Sequence, residues 1–388
     1  MPLPLPLSGI IVAILIALQP SAPIGGTPYL DLLQHYRDGH YEVAVKGLAE
    51  MRDARSTDHV FEELGRLALS VAGDSDPVKA SRARQSMLAD VWAVAFPAAA
   101  ALHLETGYAL MQAGSFPPAR DHLHVARQIL DYQRFTMVMK IRPELHEEQA
   151  RFRRDINLGV MWTLQTDPVS DRLVQLLQRL TGEYPKDGDV ALALGAFEEY
   201  QSSSPVIRNM RPPTALMAAG PWRQNTQLMR LKDAEKYYRE ALKLDASLSE
   251  ARLRLGRVLQ QRGLMQDARN ELEMVFSQPD VPPAIRYLAS MFLIDVLEAQ
   301  GNPASSLARA RDLVRRYPEC QSSHLALSRA LEARGQRDQA LAALAPLWKE
   351  EDVRQCVDPW WGYYLGQGWR VPILFKSLRD RVGAGAAK

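Results

Sequence analysis

Four side chains between positions 201 and 227 could bind an anionic or aromatic ligand. They are Arg208, Arg211, Trp222 and Arg223. Guanidinium groups form paired hydrogen bonds with carboxylates and phosphates, and as cations they are also attracted to the faces of aromatic rings. The stretch is too apolar for a plain linker and contains four prolines, which oppose helix formation. We therefore expect an ordered loop, which either packs for stability or covers a small-molecule site.

Two histidine pairs are the only groups that suggest a metal ion. His122 and His124 are two residues apart on a predicted helix, which directs them to different faces, and we expect both on the helix surface. His35 and His40 flank the turn residue Gly39 and could approach one another. A metal site would need further ligands that the sequence does not identify, so we expect no metal.

The motifs of common enzyme classes do not occur in the sequence. It has no phosphate-binding loop, no dinucleotide glycine fingerprint, no G-x-S-x-G and no H-E-x-x-H. The adjacent carboxylates Glu147-Glu148 and Glu198-Glu199 are interpreted as solvated helix faces. We therefore expect no enzyme, no catalytic residues and no cofactor.

Charge and size exclude further classes of protein. The 47 basic and 45 acidic residues nearly balance, so the chain has no strong field to attract nucleic acid, and no nucleic-acid partner is expected. With 388 residues, 47% of them apolar, the chain exceeds one compact core. Several domains or a repeat array must position any functional residue.

A helix-turn-helix pattern repeats from Ser249 to Asp352. The clearest copy, ARLRLGRVLQQRGLMQDARNELEMVF, has small residues at Gly256 and Ala268, where two helices would approach closely. The turn glycine of this copy recurs at intervals of 38 and 34 residues, at Gly263, Gly301 and Gly335. No single unit can bury its apolar face, so neighbouring units must stack.

These residues resemble the tetratricopeptide repeat family, most closely at 232–352 and 100–131. The resemblance implies an all-α fold, a right-handed α-solenoid of about eight antiparallel helix pairs from Tyr29 to Asp352. It also implies a partner, because the family's first helices line a concave groove that usually binds peptides or protein surfaces. We therefore expect a non-catalytic scaffold with a protein or peptide partner. The alternative is an enzyme or small-molecule binder with a site under the 201–227 insertion.

The resemblance also implies which residues face the groove. In three successive first helices the corresponding positions are Leu253 and Arg257, Met291 and Asp295, and Leu325 and Arg329. The family's chaperone-binding members carry Lys and Asn there to hold a C-terminal carboxylate. This chain departs from that pattern, so we do not expect it to bind chaperone tails.

The expected domain organisation has four parts. The segments are a signal peptide at 1–22, divergent helix pairs at 27–187, a repeat array at 188–353 with the insertion at 201–227, and an aromatic-rich capping helix with a flexible tail at 354–388. Among the divergent pairs, we expect one helix to end near Phe96 and a new first helix to follow.

The N-terminal apolar run from Gly9 to Leu18 has the length of a signal-peptide core and is too short to span a bilayer. No Lys or Arg precedes the run and no A-x-A site follows it, so an N-terminal helix is the alternative. If the leader is real, the protein is exported to the periplasm or secreted; otherwise it is cytoplasmic. We expect no membrane span in the mature chain.

Cys320 and Cys356 are the only cysteines. Stacked repeats would hold their backbones roughly 10 Å apart, which is too far for a disulfide, so two free thiols are expected. Loop movement could still join them if the chain is exported.

Five aromatic residues crowd the C-terminal region. They are Trp360, Trp361, Tyr363, Tyr364 and Trp369. We expect them to cap the last repeat by covering its seam residues, which are Leu341, Leu344 and Leu347. The alternative is an exposed patch that docks a partner.

Overall fold

The computed structural model describes most of the chain. The described residues are 27–72, 82–131, 145–165, 171–203, 219–348, 358–364, 366 and 368–387. The chain divides into two compact units, unit 1 (Met1–Leu176 with Arg370–Lys388) and unit 2 (Leu177–Trp369). The predicted leader at 1–22 lies outside the described residues, and none of the helices described is long and apolar enough to cross a membrane.

Within the described part of the chain, regular structure consists of helices. The α-helices are α1 Pro28–Arg37, α2 Tyr41–Glu50, α3 Thr57–Ala72, α4 Arg82–Gln112, α5 Phe116–Asp131, α6 His146–Leu164, α7 Asp171–Glu183, α8 Gly188–Gln201, α9 Ala219–Leu244, α10 Ser249–Gln261, α11 Met265–Ser277, α12 Pro283–Ala299, α13 Pro303–Arg316, α14 Gln321–Glu332, α15 Arg337–Leu344, α16 Pro359–Tyr364 and α17 Val371–Ala387. Short 3₁₀ turns occupy Asp53–Arg55 and Ala345–Trp348.

Unit 2 contains a stack of helix pairs. The pairs are α8 with α9, α10 with α11, α12 with α13, and α14 with α15, and the second helix of each pair also packs on the first helix of the next. The expected all-α helical-repeat fold is thus confirmed. Two helix starts are fixed locally: Asp187 accepts hydrogen bonds from the first-turn amides of α8, and Asn302 caps α13.

Small residues set the distance between paired helices, as the sequence predicts. A Cβ atom on Gly256 would lie 2.6 Å from Leu272 Cγ, so no larger residue fits without a shift. Ala268, on the facing helix, is completely buried. The predicted turn at Gly263 is also confirmed, because its φ of 80° favours glycine and the Leu264 amide bonds back to the Leu259 carbonyl at 2.9 Å.

The structure of unit 1 differs from two predictions. The expected break after Phe96 does not occur, because α4 continues through Pro97. Pro97 lacks one amide donor, but buried alanines from Ala98 to Ala101, which have high helix propensity, follow it. The expected flexible tail is likewise helical, because α17 extends to Ala387 and packs on α4 and α6.

Two ion pairs, each with a buried carboxylate, hold α17 in unit 1. Arg379 donates to Glu105, whose carboxylate is almost fully buried and also accepts a 2.6 Å hydrogen bond from the Tyr36 hydroxyl. Arg381 pairs with the buried Asp155 at 2.8 Å. The C-terminal helix is therefore an integral part of unit 1.

The interior of α4 and α5 contains a histidine pair. His103 Nδ1 and His122 Nδ1 lie 3.0 Å apart, and His103 Nε2 lies 3.3 Å from the Tyr29 hydroxyl. The expectation that His122 lies on the surface is wrong, because its helix face packs inward; His124 is exposed. Burial, with the charge of Arg55, lowers the pKa of His122 to about 4, and burial, with His122, lowers the pKa of His103 well below its usual value.

We predict that unit 1 loses stability in acid. The folded state lowers the pKa of His122 from 6.5 to about 4, so between these two pH values the ring is protonated in the unfolded chain and neutral in the folded one. Lowering the pH through this range therefore favours the unfolded state, and the stability present above pH 6.5 is lost. A shift of this size corresponds to about 3 kcal/mol. Urea unfolding between pH 7 and pH 4 measures the loss, and His122→Gln should reduce its pH dependence. An unchanged dependence in this variant would contradict the assignment.

We also predict that Ala268→Leu lowers the free energy of unfolding by about 1 to 3 kcal/mol, because it overpacks the contact beside Gly256. Asn270→Leu is the matched control, since Asn270 is exposed on the same helix. Chemical denaturation should show a lower midpoint for the first variant only. Equal midpoints would mean that the α10–α11 contact is assigned wrongly.

Candidate functional site

The first helices of the unit 2 pairs lie side by side. Helix α10 contacts both α8 and α12, and α12 also contacts α14. We call the face that carries Glu199, Arg254, Arg257, Phe292 and Asp295 the first-helix surface. These residues come from three helices, and the repeat brings them together because it places consecutive first helices in the same orientation.

The structure separates the six residues that the family resemblance assigns to the groove. Leu253 and Met291 are 0% and 4% exposed, so neither side chain offers surface to a partner, which corrects their assignment. Leu325 is 43% exposed. The partner-binding role of Arg257, Asp295, Leu325 and Arg329 stays a prediction.

Three of those six residues form a chain of ion pairs across successive repeats. Arg257 Nη1 lies 3.8 Å from Asp295 Oδ2, and Asp295 also pairs with Arg329. Arg329 Nε lies 3.3 Å from Glu298 Oε2. The Arg257 guanidinium lies over the Phe292 ring, 4.8 Å from its centroid. The surface therefore alternates in charge and has an aromatic ring beside it.

The C-terminal aromatic residues lie on this surface. We call residues 358–369, of which the structure describes all but 365 and 367, the aromatic segment. The Trp360 and Tyr363 ring centroids lie 5.4 and 5.0 Å from that of Phe292. The Tyr363 hydroxyl donates to Glu199, and the Trp369 amide donates to Glu250 Oε2 at 3.0 Å. The aromatic segment thus reaches α8, α10 and α12.

A buried charge cluster lies beneath Tyr363. Arg254 Nε donates to Glu250 Oε1 at 2.9 Å, and Arg254 Nη1 lies 3.3 Å from Glu199 Oε2. The Tyr238 hydroxyl donates to Glu199 Oε2 at 2.6 Å. Arg254 also faces the rings of Tyr363 and Trp369, at 5.0 and 5.6 Å from their centroids.

These contacts determine the ionisation of the cluster. Burial lowers the pKa of Arg254, but the charges of Glu250 and its other neighbours outweigh burial and leave that pKa well above its usual value. Burial and the charge of Glu199 raise the pKa of Tyr238 and Tyr363 well above 10, so both hydroxyls keep their protons and act as donors. The expectation that Glu199 lies on a solvated face is wrong, because it is only 7% exposed.

The aromatic segment begins with an acidic cap. Asp358 Oδ2 accepts a hydrogen bond from the Ser322 amide at 2.8 Å, in the first turn of α14, and Oδ1 accepts one from the Trp360 amide at 3.0 Å. A carboxylate at a helix N-terminus satisfies free amides and interacts favourably with the helix dipole. Asp358 therefore anchors the segment to α14.

The aromatic residues do not cover Leu341, one of the three seam residues that the predicted cap would bury. Leu341 remains 69% exposed, and the aromatic residues lie on the first-helix surface because Phe292 and the buried charge cluster offer partners there. Trp361 and Tyr364 remain 51% and 45% exposed.

Cys320 is disulfide-bonded, which corrects the expectation of two free thiols; Cys356 lies outside the described residues.

The other candidate residues do not form an identified site. Trp222 and Arg223 are half-buried in the first turns of α9, which corrects the expectation that they lie in a loop. Arg208 and Arg211 lie outside the described residues, so the ligand-binding role of these four residues stays a prediction.

His35 and His40 do approach one another, with their Nδ1 atoms 3.4 Å apart. No cluster of three metal-ligating side chains occurs among the described residues.

Sequence reasoning missed Glu199, Glu250 and Arg254. Arg254 and Glu250 are four residues apart on α10, a spacing that indicates an ion pair but equally suits an exposed helix face. Their burial results from Tyr238 and the aromatic segment, which are distant in sequence. The local pattern therefore carries no signal of the cluster.

We predict that Tyr363→Phe loosens the aromatic segment, because buried Glu199 loses one of its donors. The expected cost is about 1 to 3 kcal/mol. Amide hydrogen exchange at residues 358–369 should become faster, whereas Trp361→Ala, at an exposed ring, should leave the exchange rate unchanged. Equal exchange in the two variants would contradict the role of the hydroxyl.

Comparison with known proteins agrees with the repeat pattern. The tetratricopeptide repeat family matches residues 228–278 and 293–347. No curated protein matches the chain. The similar solved structures include an IFIT1 monomeric mutant with Gppp-AAAA, at 12% identity and a TM-score of 0.36 over 87% of this chain and 94% of that chain. A human IFIT1 dimer with PPP-AAAA is 12% identical, with a TM-score of 0.33 over 90% of this chain and 95% of that chain.

The residues that match the family lie within the paired helices α9 to α15. They include Gly256, Gly263 and Ala268, the turn and contact residues of the clearest repeat. Residues 228–278 and 293–347 of the chain are therefore tetratricopeptide repeats.

Proposed function

We propose that the protein is a non-catalytic scaffold that binds another protein through the first-helix surface of unit 2. The observation that carries this proposal is that the surface already holds a peptide segment, residues 358–369, through ring contacts and hydrogen bonds. A surface that binds a segment of its own chain has the shape and chemistry to bind a segment of another protein.

The part of the surface beside the aromatic segment supports the proposal. Arg329 is half-exposed and Leu325 is 43% exposed, and both lie on α14. Arg329 pairs with the carboxylates of Asp295 and Glu298. Exposed apolar area beside charges of both signs is typical of protein interfaces. We therefore expect the contact with the partner to include α12 and α14.

We further propose that the scaffold acts in an oxidising compartment, either the periplasm or the exterior of the cell. Two observations support this location: the apolar run from Gly9 to Leu18, and the disulfide at Cys320. Disulfides persist in oxidising compartments and are rare in the cytosol.

The test of the proposed function uses two matched double variants. Leu325→Glu with Arg329→Gln alters the first-helix surface on α14. Met274→Glu with Arg269→Gln makes the same changes on α11, where Met274 is 48% exposed. We expect the α14 variant to recover at least about tenfold less of the native partner in affinity purification, because a loss of 1.4 kcal/mol of binding energy is tenfold in affinity.

Circular dichroism of both variants checks that they remain folded. The α11 variant should recover the partner as well as the wild-type protein does. Equal recovery by the two variants would contradict the proposed binding surface.

A further inference from the structure

The aromatic segment indicates which kind of partner the first-helix surface accepts. We propose that a partner peptide with an acidic residue followed by two aromatic residues, spaced as Asp358, Trp360 and Tyr363 are, binds this surface in place of residues 358–369. This inference rests on the proposed function and adds the chemical class of the partner and its competition with a segment of the chain itself.

The first recognition element is the N-terminus of α14. Asp358 Oδ2 accepts the Ser322 amide at 2.8 Å, and the carboxylate is buried. A peptide without an acid at this position would leave a buried helix-end amide without its acceptor. The partner therefore needs a carboxylate here.

The second element is aromatic. Phe292 is fully buried and contacts both Trp360 and Tyr363 edge-on or tilted. Such ring pairs contribute beyond the area that they bury, and Arg254 adds a cation–π contact to Tyr363. Aliphatic side chains offer neither interaction.

The spacing of the two rings follows from the helix. Trp360 and Tyr363 are three residues apart on α16 and therefore share one face, whereas Trp361 points away and is 51% exposed. The acid lies two residues before the first ring. The expected recognition pattern is therefore acid-x-aromatic-x-x-aromatic, with a hydroxyl or another donor on the second ring to reach Glu199.

The segment can leave without exposing an uncompensated charge. Arg254 retains Glu250 at 2.9 Å and Glu199 at 3.3 Å, and Glu199 retains the Tyr238 hydroxyl at 2.6 Å. Arg257 likewise retains Asp295. Helix α16 has only six residues, too few for stability in isolation, so its packing against α8, α10 and α12 depends on the contacts that a competing peptide would replace.

The test uses a fluorescent synthetic peptide of residues 358–369 and the full chain. Trp360→Ala with Tyr363→Ala weakens the internal copy, and Trp361→Ala is the matched control because its ring is exposed. Fluorescence anisotropy should show that the double variant binds the peptide at least about tenfold more tightly than wild type, since the linked segment no longer competes at high effective concentration.

The control variant should bind the peptide as weakly as the wild-type protein does. A peptide with alanine at the Trp360 and Tyr363 positions should not bind any of the proteins. Equal affinity for wild type and double variant, or equal binding of the two peptides, would overturn the inference.

A second measurement covers the case in which the double variant does not fold. A photoreactive form of the peptide, added in excess to the wild-type chain, should label α10 and α12 and should be displaced by the unlabelled peptide. Labelling elsewhere, or no saturable labelling, would overturn the inference.

These outcomes are distinguishable from failure of the proposed function. If the peptide does not bind but the Leu325→Glu, Arg329→Gln variant still loses the native partner, the scaffold stands and the inference fails. If the peptide binds as expected and that variant retains the partner, the inference about the surface stands and the proposed function fails.

Discussion

The buried guanidinium of Arg254 is the interaction on which the rest of unit 2 depends. An ion removed from water needs close partners, and Arg254 has Glu250 in its own helix and Glu199 in the preceding first helix. Two carboxylates face one cation, so neutral donors must satisfy the remaining oxygens. Tyr238, Tyr363 and the Trp369 amide donate to them. Electrostatic compensation therefore couples α8, α9, α10 and the aromatic segment.

The repeat signature makes this cluster sterically feasible. A Cβ atom at Gly195 would lie 2.5 Å from Tyr238 Cε1, so the absence of a side chain allows the tyrosine ring to cross α8. Its hydroxyl then reaches Glu199, one helical turn further along. The same small residue that allows two helices to pack closely thus also positions a donor for the buried carboxylate, which links the fold to the candidate binding surface.

The first-helix surface combines rigidity with exchangeable contacts. The charge cluster and Phe292 are held by neighbouring repeats, whereas the aromatic segment contributes side chains from a six-residue helix. Such an arrangement pre-organises a binding surface and reduces the entropy lost when a peptide binds. It differs from a cap, which would cover the apolar seam around Leu341. Covering apolar side chains requires no hydrogen-bond donors, whereas the aromatic segment donates hydrogen bonds to buried carboxylates.

The sequence by itself determined the local features of this protein. Gly263 and Ala268 identify the turn and the close helix contact, because both depend on residues within one helix pair, and a fixed repeat interval preserves them. Only the tertiary structure decided which first-helix residues are accessible. Leu253 is buried and Arg257 is partly exposed, although both lie on the face that the repeat assigns to the groove. A segment about a hundred residues away in sequence covers this face at Arg254 and Arg257, through Tyr363, Trp369 and Tyr364, and contact with a distant segment leaves no periodic signal in the helix that it covers.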